Sequence, residues 1–174
     1  VNWDSTNIAE QIRETVKEQL DAMRTAEPSR TNELLDVAEP RLMDRLVKVV
    51  RAGNRAFTNK DPVPESKTPD FYMSQGGTAS GKTQVERRAR TEVKRREGKD
   101  NLIVASLDLA RYEHPNYYML VGASHHSDDY IQFNESGNAI REFVVDRAKE
   151  EKYNLLYDGT GIKYEGRYDA ISRE

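Results

Sequence analysis

Cysteine is absent from the 174-residue sequence, and this absence excludes several kinds of site. A disulfide framework, cysteine-bound zinc, an iron–sulfur cluster and thiol catalysis all require that side chain. The sequence also lacks any run of 18 or more apolar residues, which a membrane-spanning helix needs. Val1–Glu10 has neither the basic start nor the apolar stretch of a signal peptide. These absences predict a soluble protein.

Apolar residues and excess basic charge are also scarce. Counted with Gly and without Tyr, apolar residues make up about 37% of the chain, below the roughly 45–50% of an average globular domain. This composition predicts a modest core and a chain of which part depends on a partner. The 27 Lys and Arg residues face 30 Asp and Glu, for a net charge of -3. Because no general attraction to nucleic acid or anionic lipid follows, any phosphate recognition must be local.

Composition and periodicity divide the chain into three segments. Apolar residues from Ile8 to Met23 recur every three or four positions, which predicts an amphipathic helix. A second helical tract runs from Thr31 to Arg55, with Pro40 expected to split or kink it. Three prolines among charged residues then indicate a linker. We predict an N-terminal helical segment at 1–57, a Pro-rich linker at 58–70 and a core domain at 71–174.

Short apolar strands alternate with helices in the predicted core domain. Such alternation predicts an α/β fold with a mainly parallel sheet covered by helices on both faces. The predicted strands are Phe71–Ser74, Leu102–Leu107 and Tyr153–Tyr157, and the predicted helices are Lys82–Glu97 and Ser136–Lys152.

A glycine-rich loop follows the first predicted strand and matches G-x-x-x-x-G-K-[ST], the Walker A or P-loop pattern. Gly76 and Gly81 would let backbone N–H groups face phosphate oxygens at the start of the next helix. Lys82 would reach the β- and γ-phosphates of ATP, and the Thr83 hydroxyl would bind Mg²⁺. The alternative is a glycine-rich turn without a ligand. The predicted ATP-binding residues are Gly76, Gly77, Thr78, Ala79, Ser80, Gly81, Lys82 and Thr83.

A carboxylate, Asp108, directly follows the second predicted strand. Ligands of open parallel sheets bind outside the carboxyl ends of the strands, so Asp108 could accept the proton of an attacking hydroxyl. Asp108 could equally be a turn or helix-capping residue. The following His114-Pro115-Asn116 could likewise be a turn and helix start without chemistry.

Four motifs in this order resemble the zeta-toxin kinases, which are P-loop proteins of toxin–antitoxin systems. The P-loop is the first motif, and Asp108–Asn116 follows the family pattern D-x-x-[KR]-x-x-H-P-N. A helix around Glu142 and the sequence Asp158-Gly159-Thr160-Gly161 complete the series. The resemblance covers about Phe71–Arg173 and implies a P-loop kinase fold with ATP and Mg²⁺ as cofactors.

The resemblance also assigns roles by position. Asp108 matches the catalytic base of the family, and Lys82 and Thr83 match the residues that hold the triphosphate and the metal. The residues whose positions imply substrate binding are Arg111, His114, Glu142, Asp158 and Thr160.

This chain departs from the family at three points. The family more often has glutamate at the position of Asp158, and an arginine where this chain has Ile162. Lys163 or Arg167 would then have to supply the positive charge. Family members also continue past Glu174 into helices and a lid with arginines, so we expect a fragment or a second chain that completes the site.

The function that the resemblance implies is phosphorylation of UDP-N-acetylglucosamine or, as in related bacterial effectors, of the ribose of NAD. It implies a bacterial cytoplasmic toxin, or an effector delivered into another cell, with a helical antitoxin as partner. Two alternatives remain: a nucleotide-dependent binding module without turnover, and a polynucleotide end kinase.

Two further clusters are given structural interpretations. Lys82–Lys99 holds eight Lys and Arg residues, but they surround the helix and no aromatic residues lie between them for base stacking. We interpret this helix as a solvated surface. Adjacent His125 and His126, followed by Ser127-Asp128-Asp129, lack the spacing of a zinc site and predict a polar loop.

Overall fold

The computed structural model describes the backbone of residues 31–75, 81–113 and 128–159, and positions 10, 14, 17 and 21 are also helical. Side chains are described in these ranges except at 31–39, 41–43 and 128–135. In chain order the elements are α1 (Thr31–Asn54), a 3-10 helix (Arg55–Phe57), β1 (Phe71–Gln75), α2 (Lys82–Glu97), β2 (Leu102–Ala105), a second 3-10 helix (Leu107–Tyr112), α3 (Asp128–Glu150) and β3 (Asn154–Gly159).

These elements form two compact units that interleave along the chain. The first, which we call the helical unit, consists of Val1–Thr58 and Leu107–Arg147. The second, the sheet unit, consists of Asn59–Ser106 and Ala148–Glu174. The division into consecutive segments at 57 and 70 stays a prediction.

The sheet unit contains a parallel sheet in the order β1-β3-β2. One face of α2 packs against it through Ala89 and Val93, which contact Leu102 of β2 and Leu156 of β3. These side chains are almost fully buried, because α2 presents its small and branched residues to the sheet and its charged residues to solvent. The predicted α/β class with a parallel sheet is confirmed.

A polar network fastens the predicted linker to the starts of β2 and β3. The buried side chain of Asn101 accepts a hydrogen bond from the backbone N–H of Asp61 and donates one to its carbonyl, both at 2.7 Å. Buried Asn154 accepts a hydrogen bond from the N–H of Asp70 at 2.9 Å. The Glu97 carboxylate accepts hydrogen bonds from both asparagines. The prolines prevent helix or strand here, and side-chain amides provide the hydrogen bonds instead.

The helical unit is held together by apolar contacts between α1, the second 3-10 helix and α3. Its core contains Val49 and Ala52 from α1, Ala110 from the 3-10 helix and Ile140 from α3. A Cβ atom on Gly53 would overlap the Phe143 ring, so α1 and α3 approach each other more closely than a larger residue at Gly53 would allow.

The structure corrects several predicted boundaries. Helix α2 has the predicted limits, whereas β2 ends at Ala105 because Leu107 already begins a 3-10 helix. Helix α3 begins at Asp128 and runs through Gly137, so Asp128 and Asp129 are helical, not part of a loop. Helix α1 is not split at Pro40. The predicted helix from Ile8 to Met23 lies mostly outside the described residues. Within the described residues, no helix is long and apolar enough to cross a membrane.

Candidate active site

The carboxyl ends of all three strands bring polar side chains to one carboxylate. Asp158, near the end of the central strand β3, is the register partner of Ser74 on β1. The Ser74 hydroxyl donates a hydrogen bond to Asp158 Oδ1 at 2.8 Å, and the Ser106 hydroxyl donates one to Oδ2 at 3.3 Å. Both serines are buried. The carboxylate is therefore held on both sides at the edge of the sheet where ligands bind in open α/β folds.

Helix α2 adds a cation to this edge. Its N-cap residue is Gly81, whose φ of 86° lies in the left-handed region that glycine adopts without strain. Lys82 follows at once, and its Nζ atom lies 3.6 Å from Asp158 Oδ1. The two side chains are 25% and 24% exposed, so both can be reached from solvent. We call Lys82, Asp158, Ser74 and Ser106 the strand-end cluster.

The start of α2 has the properties of a phosphate-binding site. The first N–H groups of a helix have no intrahelical acceptor, and the helix dipole makes this end positive. Gly81 brings no side chain that could cap them. The Thr83 side chain is exposed on the first turn, and a hydroxyl oxygen is a suitable ligand for Mg²⁺.

The Thr83 hydroxyl fits the way Mg²⁺ is held in nucleotide sites. There, one or two protein oxygens suffice, because phosphates and water supply the other ligands. The described residues contain no group of three His, Asp or Glu side chains that could hold a metal ion by themselves.

Three predicted site residues belong to the helical unit. Asp108 and Arg111 lie in the second 3-10 helix, both exposed to solvent, and Ala110 between them is buried in the core of that unit. Glu142 is exposed on α3. The remaining predicted site residues lie outside the described ranges: Gly76, Gly77, Thr78, Ala79, Ser80, His114 and Thr160.

The structure thus brings Lys82 and Asp158 together and adds two serines that the sequence analysis missed. A usable signal was present, because Ser74 lies at the end of the first predicted strand and Ser106 near the end of the second. In a parallel sheet such positions converge on one edge.

The basic helix α2 neutralises part of its charge within the sheet unit. Arg90 lies 2.9 Å from Glu86 and 2.7 Å from Asp100, Arg95 lies 2.7 Å from Glu92, and Arg96 pairs with Asp70. These ion pairs fit a solvated helix surface better than a nucleic-acid-binding stripe.

Known proteins with similar sequences all point to one family. The Zeta toxin family model matches residues 53–169. The chain is 29% identical over 129 residues to the toxin zeta of Streptococcus agalactiae. The matched region covers 74% of this chain and 40% of that protein. The chain is 30% identical over 123 residues to the toxin zeta of Enterococcus hirae, covering 71% and 37%. The chain thus spans about two fifths of these relatives.

A solved structure from a study of the PezAT chromosomal toxin–antitoxin system of Streptococcus pneumoniae has a similar fold. It superimposes with a TM-score of 0.53 at 22% sequence identity and covers 70% of this chain and 47% of that one. At this identity the likeness concerns the fold alone. Because the family model matches about two thirds of the sequence, with the P-loop and Asp158 inside the match, the chain belongs to the zeta-toxin family.

Proposed function

We propose that this chain carries the core of an ATP-dependent kinase, which transfers the γ-phosphoryl group of ATP to a hydroxyl of a nucleotide-linked small molecule. The observation that carries this proposal is the contact between Lys82, at the start of the helix after the P-loop, and Asp158, near the end of the central strand. A lysine at this edge of a parallel sheet, beside a positive helix end, suits a triphosphate. Membership of the zeta-toxin family points the same way.

In the proposed reaction the oxygen of the acceptor hydroxyl attacks the γ-phosphorus, and its proton passes to the Asp108 carboxylate. The bond between the γ-phosphorus and the bridging oxygen breaks, and its electron pair leaves with ADP. Lys82 attracts the β- and γ-phosphates and keeps the transferring group in line. Mg²⁺ held by Thr83 would neutralise charge on the phosphate oxygens. The residues proposed to orient the acceptor are Arg111, His114, Glu142, Asp158 and Thr160.

The proposed acceptor is UDP-N-acetylglucosamine or the ribose of NAD, the substrates that the family resemblance implies. Both molecules join a hydroxyl-bearing sugar to a nucleoside through a diphosphate. The deciding measurement is ADP release from ATP and Mg²⁺ with each of them, and with an oligonucleotide, as acceptor.

The Asp108→Asn variant tests the base in the same assay. We expect one small acceptor to stimulate ADP release at least tenfold in the wild-type chain, and the variant to lose that stimulation while its ATP affinity stays within about twofold. Arg95→Ala is the matched control, because Arg95 is an exposed residue that pairs with Glu92 on the surface of α2. Full turnover in Asp108→Asn would refute the proposed base. Stimulation by the oligonucleotide alone would favour the polynucleotide end kinase.

A nucleotide-dependent binding module is the second candidate, favoured by Ile162 at the position of a family arginine. Lys82→Ala tests the P-loop assignment that both functions share. Loss of ATP affinity in this variant supports the P-loop assignment under either function, whereas unchanged affinity contradicts it. If the wild-type chain binds ATP and no acceptor stimulates ADP release, the binding module becomes the better proposal.

We also propose that an antitoxin protein inhibits this chain by blocking its ATP site, and that the kinase acts in the bacterial cytoplasm or in a cell that receives it as an effector. The solved relative from a toxin–antitoxin system supports this partner class. Growth arrest on expression of the wild-type chain, relieved by Asp108→Asn, is the expected result. Equal growth of cells that express the two chains would contradict toxicity through phosphoryl transfer.

A further inference from the structure

Two arginines lie close to the exposed ring of Tyr112 in the helical unit. The guanidinium carbon of Arg55 lies 4.6 Å from the ring centroid, and that of Arg111 lies 5.0 Å from it. Arg111 Nη2 also donates a hydrogen bond to the Tyr112 hydroxyl at 3.1 Å. Tyr112 is an exposed aromatic residue, with 43% of its surface accessible to solvent.

The two arginines come from distant parts of the sequence and are held in place by the core beneath them. Arg55 follows α1, and Arg111 lies three residues after Asp108 in the second 3-10 helix. Ala52, three residues before Arg55, and Ala110, directly before Arg111, belong to the same buried cluster. The fold therefore fixes the backbone near both arginines, whose side chains are exposed.

The positive charge of the two arginines favours an anion near Tyr112. Both guanidinium groups lie so near one ring that they are within about a Debye length of each other at 0.1 M salt. Among the described residues, Arg55 contacts the Tyr112 ring and forms no ion pair. Nearby Arg51 differs, because it lies 3.6 Å from Glu113 and is partly neutralised. An anion that contacts both guanidinium groups would offset their mutual repulsion.

The geometry of a stacked guanidinium selects the kind of anion. When an arginine lies against an aromatic ring, its N–H groups still point outward in the guanidinium plane and can bind two oxygens at once. Two such groups together match the adjacent phosphates of a diphosphate better than a single carboxylate. Tyr112 serves here as a positioning residue, since it orients both arginines.

We propose that Arg55 and Arg111, oriented by Tyr112, bind the diphosphate of the acceptor nucleotide. This inference rests on the proposed kinase function and extends it. Arg111 was expected to bind substrate, whereas the sequence motifs assigned no role to Arg55 or Tyr112. The subsite supplies positive charge to a chain that has Ile162 at the position of a family arginine. It also gives the segment before the P-loop a part in substrate binding.

Calorimetric binding tests the subsite without requiring turnover. The probes are UDP-N-acetylglucosamine, NAD and ATP, each titrated into Asp108→Asn protein so that no phosphoryl group is transferred. We expect Arg55→Ala to weaken binding of one of the first two probes at least tenfold and to change ATP affinity less than twofold. Arg55→Lys should weaken binding of the same probe several-fold, because a lysine keeps the charge but not the paired donors. Free N-acetylglucosamine, which has no diphosphate, should show no dependence on Arg55.

Two further variants separate binding from folding. Tyr112→Phe keeps the ring but removes the hydroxyl that Arg111 contacts, so it should lose less affinity than Tyr112→Ala. Arg95→Ala, on a surface helix of the sheet unit, should bind all probes as the parent does. The inference is overturned if Arg55→Ala binds both diphosphate probes normally, if it loses ATP and acceptor affinity equally, or if the parent binds neither diphosphate probe.

Failure of the subsite and failure of the kinase give different results. If Arg55 governs diphosphate binding but no acceptor stimulates ADP release in the wild-type chain, the subsite stands and the kinase proposal fails. If an acceptor stimulates ADP release and Arg55→Ala has the wild-type KM for it, the kinase stands and the subsite fails.

Discussion

The ammonium nitrogen of Lys82 lies 3.6 Å from the Asp158 carboxylate, which also accepts hydrogen bonds from Ser74 and Ser106. A lysine that is to bind phosphate is thus already paired with an anion of its own chain. The phosphates of a nucleotide would have to replace Asp158 as the partner of Lys82. The strand-end cluster therefore links nucleotide binding to the state of a residue proposed to bind the acceptor.

Asp158→Asn should separate these two roles. Removal of the carboxylate charge ends the competition for Lys82, so ATP affinity should rise by up to about fivefold, the equivalent of the roughly 0.2–1 kcal/mol of a partly exposed ion pair. Acceptor-dependent turnover should fall at least tenfold, because the proposed contact with the acceptor is lost. Fluorescent nucleotide titration and ADP-release kinetics measure the two effects. Ser74→Ala, which leaves the charge intact, should change ATP affinity less than twofold; weaker ATP binding by Asp158→Asn would contradict the competition.

Gly137→Ala should impair activity without unfolding the protein. A Cβ atom at this position of α3 would lie 3.0 Å from Leu107 Cδ2 and 3.7 Å from Leu107 Cα. Alanine favours the helix by about 1 kcal/mol over glycine, so the free energy of unfolding should change little. The Leu107 side chain must shift, however, and Asp108 is the next residue in the sequence. We expect a several-fold lower kcat, an unchanged ATP affinity and a Tm within a few degrees of wild type.

A second substitution checks the cause of that loss. Leu107→Val removes the Cδ atoms that the new methyl group would meet, so the double variant should recover part of the kcat. If Gly137→Ala already has wild-type kcat, the position of the 3-10 helix does not depend on this close contact.

Asp100 should contribute stability at neutral pH and lose it in acid. Partial burial alone would raise the pKa of Asp100, but the positive charges of Arg90 and Lys60, together with hydrogen bonds, hold it below its usual value. A lowered pKa means that the stabilisation is complete above the unfolded-state pKa near 4 and disappears as the pH falls through the folded-state value. Free energies of unfolding of wild type and Asp100→Asn, measured with urea, should differ at pH 7 by about 1 kcal/mol or less, and by a smaller amount near pH 3. An equal difference at both pH values would contradict this origin.

Leu156→Ala should strongly destabilise the sheet unit. Leu156 is almost fully buried on the central strand, where it packs with Ala89, Val93 and Leu102. Truncation of a buried leucine to alanine costs about 2–5 kcal/mol, a large part of the roughly 5–15 kcal/mol that stabilises a typical domain. Denaturant midpoints measure the effect. Val85→Ala is the control, since Val85 is an exposed apolar residue on α2, and similar midpoints for the two variants would show that this core is not the main source of stability.

The sequence was sufficient to predict those elements in which local pattern and tertiary structure agree. The limits of α2 follow from Gly81 and Gly98, both in the left-handed region, and the alternation of short apolar strands with helices predicted the parallel sheet. The start of α3 was predicted at Ser136, whereas the helix begins at Asp128. The lack of a side chain on Gly137 permits its close approach to Leu107, a tertiary relation that no local pattern reveals. The hydrogen bonds of Ser74 and Ser106 to Asp158 were also missed, although the positions of both serines near the ends of predicted strands were a usable signal.

The interleaving of the two units has a consequence for how the chain can be divided. Cutting at the linker to isolate the P-loop part would leave the stretch with Asp108 but remove Val49 and Ala52, against which Ala110 and Ile140 pack. Those apolar side chains would then face water, and Arg111 and Tyr112 would lose the neighbouring Arg55. The segment that looks like a detachable N-terminal extension therefore packs against the 3-10 helix that carries the proposed base. Any shortened version meant to keep activity must retain α1.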